Sequence, residues 1–235
     1  MPKPTRLPLG QRLLDYLLQV SLIILGLIIA TSVDRCNAAR KDDQRLQAYY
    51  TAILQDLGEE QEINTMNGVD ADHDVRDLED ALRLFRRDAP DSLALALQKA
   101  NGVLRKGVFR TFSPTTFDVM VNTGDVNLIE DIRLRAELAS VFAYRNNILR
   151  PDLQNYDHQV LQTIAGLSDR IDPACMVGLD HAAACLLDPD AIRENGVPEL
   201  WLLYAVAHTR RFHLQVAAEQ VQEAAELVAA ELQER

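Results

Sequence analysis

Residues 17–33 read LLQVSLIILGLIIATSV, seventeen residues without a charged side chain. Leu13, Leu14 and Tyr16 extend the run upstream past a single Asp15. At about 1.5 Å per helical residue, about 20 residues cross the hydrocarbon core of a bilayer. The run is therefore read as a transmembrane helix over 13–33, with 1–12 as a short tail and 34–235 as one domain. A cleaved signal peptide carries a shorter apolar region and ends at an A-x-A-like site. Here the run leads into Asp34-Arg35-Cys36-Asn37 instead. Cys36 also lacks the small apolar residues that precede a lipidated cysteine. A buried core helix is disfavoured, because nothing else in the chain is apolar enough to surround it. Gly26 and Ala30 form a small-x-x-x-small pair that permits close approach of a second helix within the bilayer.

Charge separates the two sides of the span. The tail holds Lys3, Arg6 and Arg12, and the far flank holds Arg35, Arg40, Lys41 and Arg45. Three bases against four do not orient the helix by the positive-inside rule. The short tail and the large acidic domain favour a cytoplasmic N-terminus and an exported domain. The whole chain of 235 residues carries 24 Lys+Arg against 35 Asp+Glu, a net charge of -11. Setting aside the tail's three bases and Asp15 leaves 21 against 34, so the remainder is at -13. A surface so acidic is a poor match for phosphate neutralisation, and nucleic acid is excluded as the main partner.

Beyond the span the pattern is helical. Leu46, Tyr50, Ile53 and Leu57 recur at spacings of four, three and four, and no Pro or Gly interrupts 33–57. The anchor is expected to continue as one helix over 34–64, weakened at Gly58 and ended by Asn67-Gly68. Middle helices over 70–170 follow: Asp74 to Arg87, then Leu93 to Leu104 with Asp91 or Ser92 as cap. Next come a short helix capped by Ser113 with Pro114 at its first position, a helix from Asp131 to Leu149 stopped by Pro151, and one from Asp152 to Leu167. Gly124 is read as a left-handed C-cap, so Phe117, Gly124 and Asp131 mark a structural corner. The last helix is placed at 198–233, with a seam of Leu214, Ala218, Val221, Ala225, Val228 and Leu232. No stretch shows sustained strand alternation. The expected fold is all-α, a transmembrane helix continuing into a bundle with the long C-terminal helix packed antiparallel to the first.

Chemistry-bearing motifs are scarce. Asp70, Asp72 and Asp74 begin like a calcium loop, but the Gly and Glu that such a loop needs are replaced by Val75 and Ala81. The segment is read as a polar loop whose acids favour a helix N-terminus. His73, His158, His181, His208 and His213 include no i, i+4 pair and no H-E-x-x-H. His208 is assigned to a packed helix face, and adjacency of Asp180 and His181 does not by itself make a base and its orienter. Cys175 and Cys185 would form a disulfide in an exported domain and remain small buried thiols in a cytosolic one. Cys36 stays unpaired at the membrane surface and could cross-link two copies. No phosphate loop, nucleophile elbow or C-x-x-C occurs, and no catalytic residue, metal ligand or cofactor is assigned.

Two segments resemble an uncharacterised bacterial family of single-span, N-terminally anchored helical proteins, a domain of unknown function. One runs from Leu27-Ile28-Ile29-Ala30 through Asp34, Asn37, Arg40 and Lys41. The other comprises Thr116-Phe117-Asp118, Met120, Thr123-Gly124, Val126, Leu128-Ile129, Asp131 and Leu134-Arg135. Cys36 departs from the family's frequent aromatic residue. The resemblance implies a membrane-anchored, exported helical domain in the bacterial inner membrane, without known activity and without catalytic residues to carry over. The expected function is interaction or scaffolding, as a homo-oligomer or an accessory subunit, with the bilayer, itself or other membrane subunits as partners. The rivals are an exported sensory or ligand-binding module acting through a partner, and an enzyme with scattered catalytic residues.

Overall fold

The computed structural model describes residues 9–87, 90–105, 115–168, 170 and 187–234. Cys175, Cys185, Asp180, His181, Ser113 and Pro114 lie outside them. Six α-helices are described: α1 (Leu9–Phe85), α2 (Pro90–Leu104), α3 (Thr116–Thr123), α4 (Ile132–Tyr144), α5 (Arg150–Ser168) and α6 (Pro189–Glu234). A 3-10 turn, Asp125–Leu128, follows α3, and a π turn, Arg145–Leu149, joins α4 to α5. No strand occurs among the described residues. By contacts the chain divides into two units, 1–49 and Tyr50–Arg235.

In the first unit, α1 carries the apolar run. It is the one described helix long and apolar enough to cross a membrane, and none of its most apolar 18-residue window, mean hydropathy 1.6, is buried. Leu22, Ile23, Ile24, Leu25, Leu27, Ile28 and Ile29 are all exposed. Two hydroxyls at the C-terminal end of this stretch are satisfied within the helix. Thr31 Oγ1 donates to Leu27 O at 2.9 Å and Ser32 Oγ donates to Ile28 O at 2.7 Å. Such internal pairing is what a helix in hydrocarbon requires, because lipid offers no acceptor. Gly26 and Ala30 are exposed on the same helix, and Cys36 is an exposed free thiol.

The second unit is a helical bundle. Asp74 pairs with Arg210 and Asp72 with Arg211, so rising numbers in α6 meet falling numbers in α1, and the two helices are antiparallel. Glu60 meets Arg145 and Asp74 meets Tyr156, so the chain from the π turn into α5 runs parallel to α1. The main core joins Val75, Leu78 and Phe85 of α1, Leu93 and Leu97 of α2, Tyr156 and Val160 of α5, and Leu200 and Leu203 of α6. A second cluster joins Ala71, Leu149, Leu153, Leu214 and Ala217.

Several boundaries differ from expectation. The first helix does not end near 64: α1 runs through Asn67-Gly68 to Phe85 and absorbs the helix expected at Asp74 to Arg87. Asn67 is buried there, and tertiary packing outweighs the roughly 1 kcal/mol that a helical Gly costs. The polar loop at Asp70–Asp74 is likewise part of α1. The cap of the short helix is Thr115, two residues beyond Ser113. Its hydroxyl accepts from Asp118 N, while Asp118 accepts from Thr115 N, completing a capping box. Helix α2 starts at Pro90, before Asp91 and Ser92.

Pro151 does not stop the helix. It is the second residue of α5, and the residue four before it, Asn147, lies in the π turn, where the widened backbone relieves the clash between a proline ring and that carbonyl. The C-terminal helix begins at Pro189, not Pro198, with Asp188 Oδ1 accepting from Ala191 N at 2.9 Å. Pro198 and Glu194 are both exposed, so the carbonyl that loses its partner at Pro198 faces water. The buried seam of α6 is Leu214, Ala217, Val221, Ala224 and Val228, so Ala217 and Ala224 take the places expected for Ala218 and Ala225.

Candidate functional site

The buried face of α1 continues the expected seam in unbroken alternation. Leu46, Tyr50, Ile53, Leu57, Glu60, Asn64, Asn67, Ala71, Asp74, Leu78, Ala81 and Phe85 are all buried and fall four or three residues apart. The central positions are polar. Buried polar groups are costly unless paired, so this band is where the bundle departs most from an ordinary apolar core.

Its N-terminal part is organised by Arg145, in the π turn and only 2% exposed. The guanidinium donates through Nη2 to Asp118 Oδ2 at 2.9 Å and through Nη1 to Glu60 Oε2 at 3.4 Å. It also lies 4.9 Å from the ring centre of Phe142, which stacks on Phe117 at 5.0 Å. Asp56 Oδ2 accepts from Thr116 N at 2.6 Å and docks the start of α3 on α1. Two carboxylates, Glu60 and Asp118, thus share one guanidinium, and the charge of Asp56 is felt at Glu60. Partial burial opposes ionisation of Asp118, but hydrogen bonds from Thr115 and the charge of Arg145 hold it below the usual carboxylate range. Glu60 has the weaker share of Arg145, and burial pushes it up to about 7.

One helical stretch further along, Arg210 of α6 and Asp74 of α1 are both fully buried, with Nη2 to Oδ2 at 2.9 Å. The Tyr156 hydroxyl donates to the same Oδ2 at 3.1 Å, and the Arg210 guanidinium sits 3.9 Å from the Tyr156 ring centre. Burial raises the Tyr156 phenol above its usual range. Asp152 and Asp157 are also raised by burial, against the pull of Arg210. At the half-buried edge, Tyr144 Oη and His213 Nδ1 are 2.7 Å apart. Between the two charged groups, the Asn64 amide and Asn67 Nδ2 meet no hydrogen-bond partner among the described residues.

The Arg210–Asp74 pair is closed to solvent and ties α6 to α1, whereas Asp118, Tyr144 and His213 at the edges of the band are partly exposed. Among the described residues no group of three His, Cys, Asp or Glu side chains could hold a metal ion. A groove of about 310 Å³ is lined by Arg133, Glu137, Glu223, Glu226 and Leu227, the charges of a solvated helix edge.

The expected corner residues have defined structural positions. Phe117 is buried, Gly124 has φ of 81°, and Asp131 caps α4 by accepting from Arg133 N at 2.7 Å and Leu134 N at 3.3 Å. His208 does not lie in a packed face: it is exposed, beside Arg211 and Tyr204. It belongs to an outward stripe of α6 with Trp201, Leu202, Ala205 and Phe212, of which Trp201, Leu202 and Phe212 are 50–56% exposed. The sequence does not mark Glu60, Arg145, Tyr156 and Arg210, and Asp74, expected in a polar loop, is instead buried in α1. The one available signal was continuation of the four-three spacing through polar residues.

The chain matches no family model, no curated protein and no solved structure.

Proposed function

We propose that the chain is a membrane-anchored helical scaffold, held by its N-terminal span and acting through association with itself or with a larger membrane complex. The observation that carries this reading is apolar surface left uncovered at two sites, the run Leu22–Ile29 of α1 and the α6 stripe around Trp201, Leu202 and Phe212. Fully burying one large apolar side chain is worth about 1.5–3 kcal/mol, so each run is a strong drive for lipid or for a partner. The run on α1 fits lipid by its length and its internally paired hydroxyls. The α6 stripe, with an aromatic at each end, fits a protein surface. The large acidic domain beyond the span favours an N-terminus in the cytoplasm and a periplasmic domain in a bacterial inner membrane, as does the resemblance to the single-span family.

Three measurements test the reading together. The chain should resist carbonate extraction from membranes, an alkaline phosphatase fusion to its C-terminus should be active, and its mass in mild detergent should exceed that of one copy plus micelle. An extractable protein, an inactive fusion or a strictly monomeric species that copurifies with nothing would each refute the corresponding part.

A further inference from the structure

The charges around Arg145 do not balance. Glu60 and Asp118 share a single guanidinium, Asp56 adds a further negative charge felt at Glu60, and Glu60 is only 4% exposed. The guanidinium is also shared unequally, at 2.9 Å to Asp118 and 3.4 Å to Glu60. Asp118 is committed twice, since the oxygen that receives Arg145 also accepts from the N–H and hydroxyl of Thr115. Three elements therefore depend on one side chain: α1 through Glu60, the N-terminal end of α3 through Asp118, and the π turn through Arg145 itself.

We propose that Glu60 is a proton-operated switch on the docking of α3: neutral, it leaves Arg145 to Asp118 and the α3 corner seated; ionised, it competes for Arg145 and loosens that corner from α1. The groups facing Glu60 define what the proton controls. On α1 they are Asp56 and, one turn on, the uncharged Asn64; on α3, Asp118; in the π turn, Arg145. From α6 the antiparallel register brings the buried Val221 and Ala224 to this height. Glu223 and Glu226 line the outward groove with Arg133 and Glu137. An ionised Glu60 meets Asp118 and Asp56 as like charges and finds one shared cation, which is the arrangement that makes one acid of a cluster hold its proton. Burial alone pushes in the same direction, and the Glu60 carboxyl sits at about 7. The transition thus falls where modest pH changes act on it. The π turn suits a moving part, because its widened backbone is less regular than the α-helix on either side. This inference stands apart from the scaffold reading and needs no partner.

The test is amide hydrogen exchange on the full chain in mild detergent, corrected for intrinsic rates and read over residues 115–129. In the unmodified protein, protection of that segment should fall about tenfold or more between about pH 6 and about pH 8, with its midpoint near the Glu60 transition. Glu60→Gln should keep high protection at both values. Asp118→Asn removes the carboxylate through which Arg145 seats the corner, so protection of the segment should be low at both values with no step between them. A pH profile in Glu60→Gln identical to that of the unmodified chain would overturn the proposal. So would a pH step retained in Asp118→Asn, which keeps the test decisive if Glu60→Gln does not fold.

Discussion

Arg210 and Asp74 meet at 2.9 Å with no solvent access to either, joining helices at positions 136 residues apart in the chain. Tyr156 closes the group from α5, its hydroxyl on the same carboxylate oxygen and its ring under the guanidinium. A pair so deeply buried returns little net stability, since the Coulomb gain is set against desolvation of both ions. What it supplies is register, because a slip of α6 by one turn would strand two charges in the core.

Removing one partner is therefore expected to cost far more than removing both. Arg210→Met leaves Asp74 buried without its cation and should destabilise the domain by about 3–5 kcal/mol. Asp74→Leu with Arg210→Met should recover most of that loss. Denaturant unfolding followed by circular dichroism would measure both, and equal losses in the single and double variants would contradict the account.

Asn64 should show the opposite behaviour. Its amide is buried at a seam position with no hydrogen-bond partner among the described residues, so it bears a desolvation cost. Asn64→Leu is expected to raise stability by about 1 kcal/mol and to shift the unfolding midpoint upward without changing its slope.

Stability should also depend on pH, with a sign set by Glu60. Its folded value, about 7, lies above the ordinary 4.5, so the folded state holds the proton more tightly than the unfolded chain. The contribution is complete below about pH 4.5 and is lost as pH rises to about 7, amounting to roughly 3 kcal/mol. Asp118 acts in the other sense, because its folded value is depressed: its contribution is present above the usual carboxylate range and fades in stronger acid. In Glu60→Gln, chemical denaturation at several pH values should show the loss between about 4.5 and 7 abolished and the acid limb retained.

At the corner after α3, Gly124 takes φ of 81° with open space where a Cβ would stand. The cost of a side chain there is conformational alone. Gly124→Ala should destabilise by about 1–2 kcal/mol and Gly124→Asn by less, as thermal unfolding of the two variants would show.

For the apolar run, charge at its centre is the direct probe. Leu25→Arg should cost about 2.5–3.5 kcal/mol of insertion free energy. The double variant Leu25→Arg, Ile28→Arg should move the protein from the carbonate-resistant to the soluble fraction.

Helical periodicity is a local property, and it was legible wherever the seam is apolar. Leu46, Tyr50, Ile53 and Leu57 announce the buried face of α1, and Phe117, Gly124 and Asp131 announce the corner, because side-chain shape and backbone preference act within a few residues. The extent of the first helix was not legible for the same reason. Asp74 reads as part of a polar loop and Asn67-Gly68 as an end, and nothing local marks Glu60 or Asn64 as buried, since a polar residue taken alone belongs in water. Only the tertiary structure makes them core, by bringing Arg145 to Glu60 across 85 residues and Arg210 to Asp74 across 136. The sequence by itself determined an all-α chain with one apolar run long enough to span a bilayer. The fold decided which polar residues are buried, and it did so because the partner that makes burial of a charge tolerable lies far away in the chain.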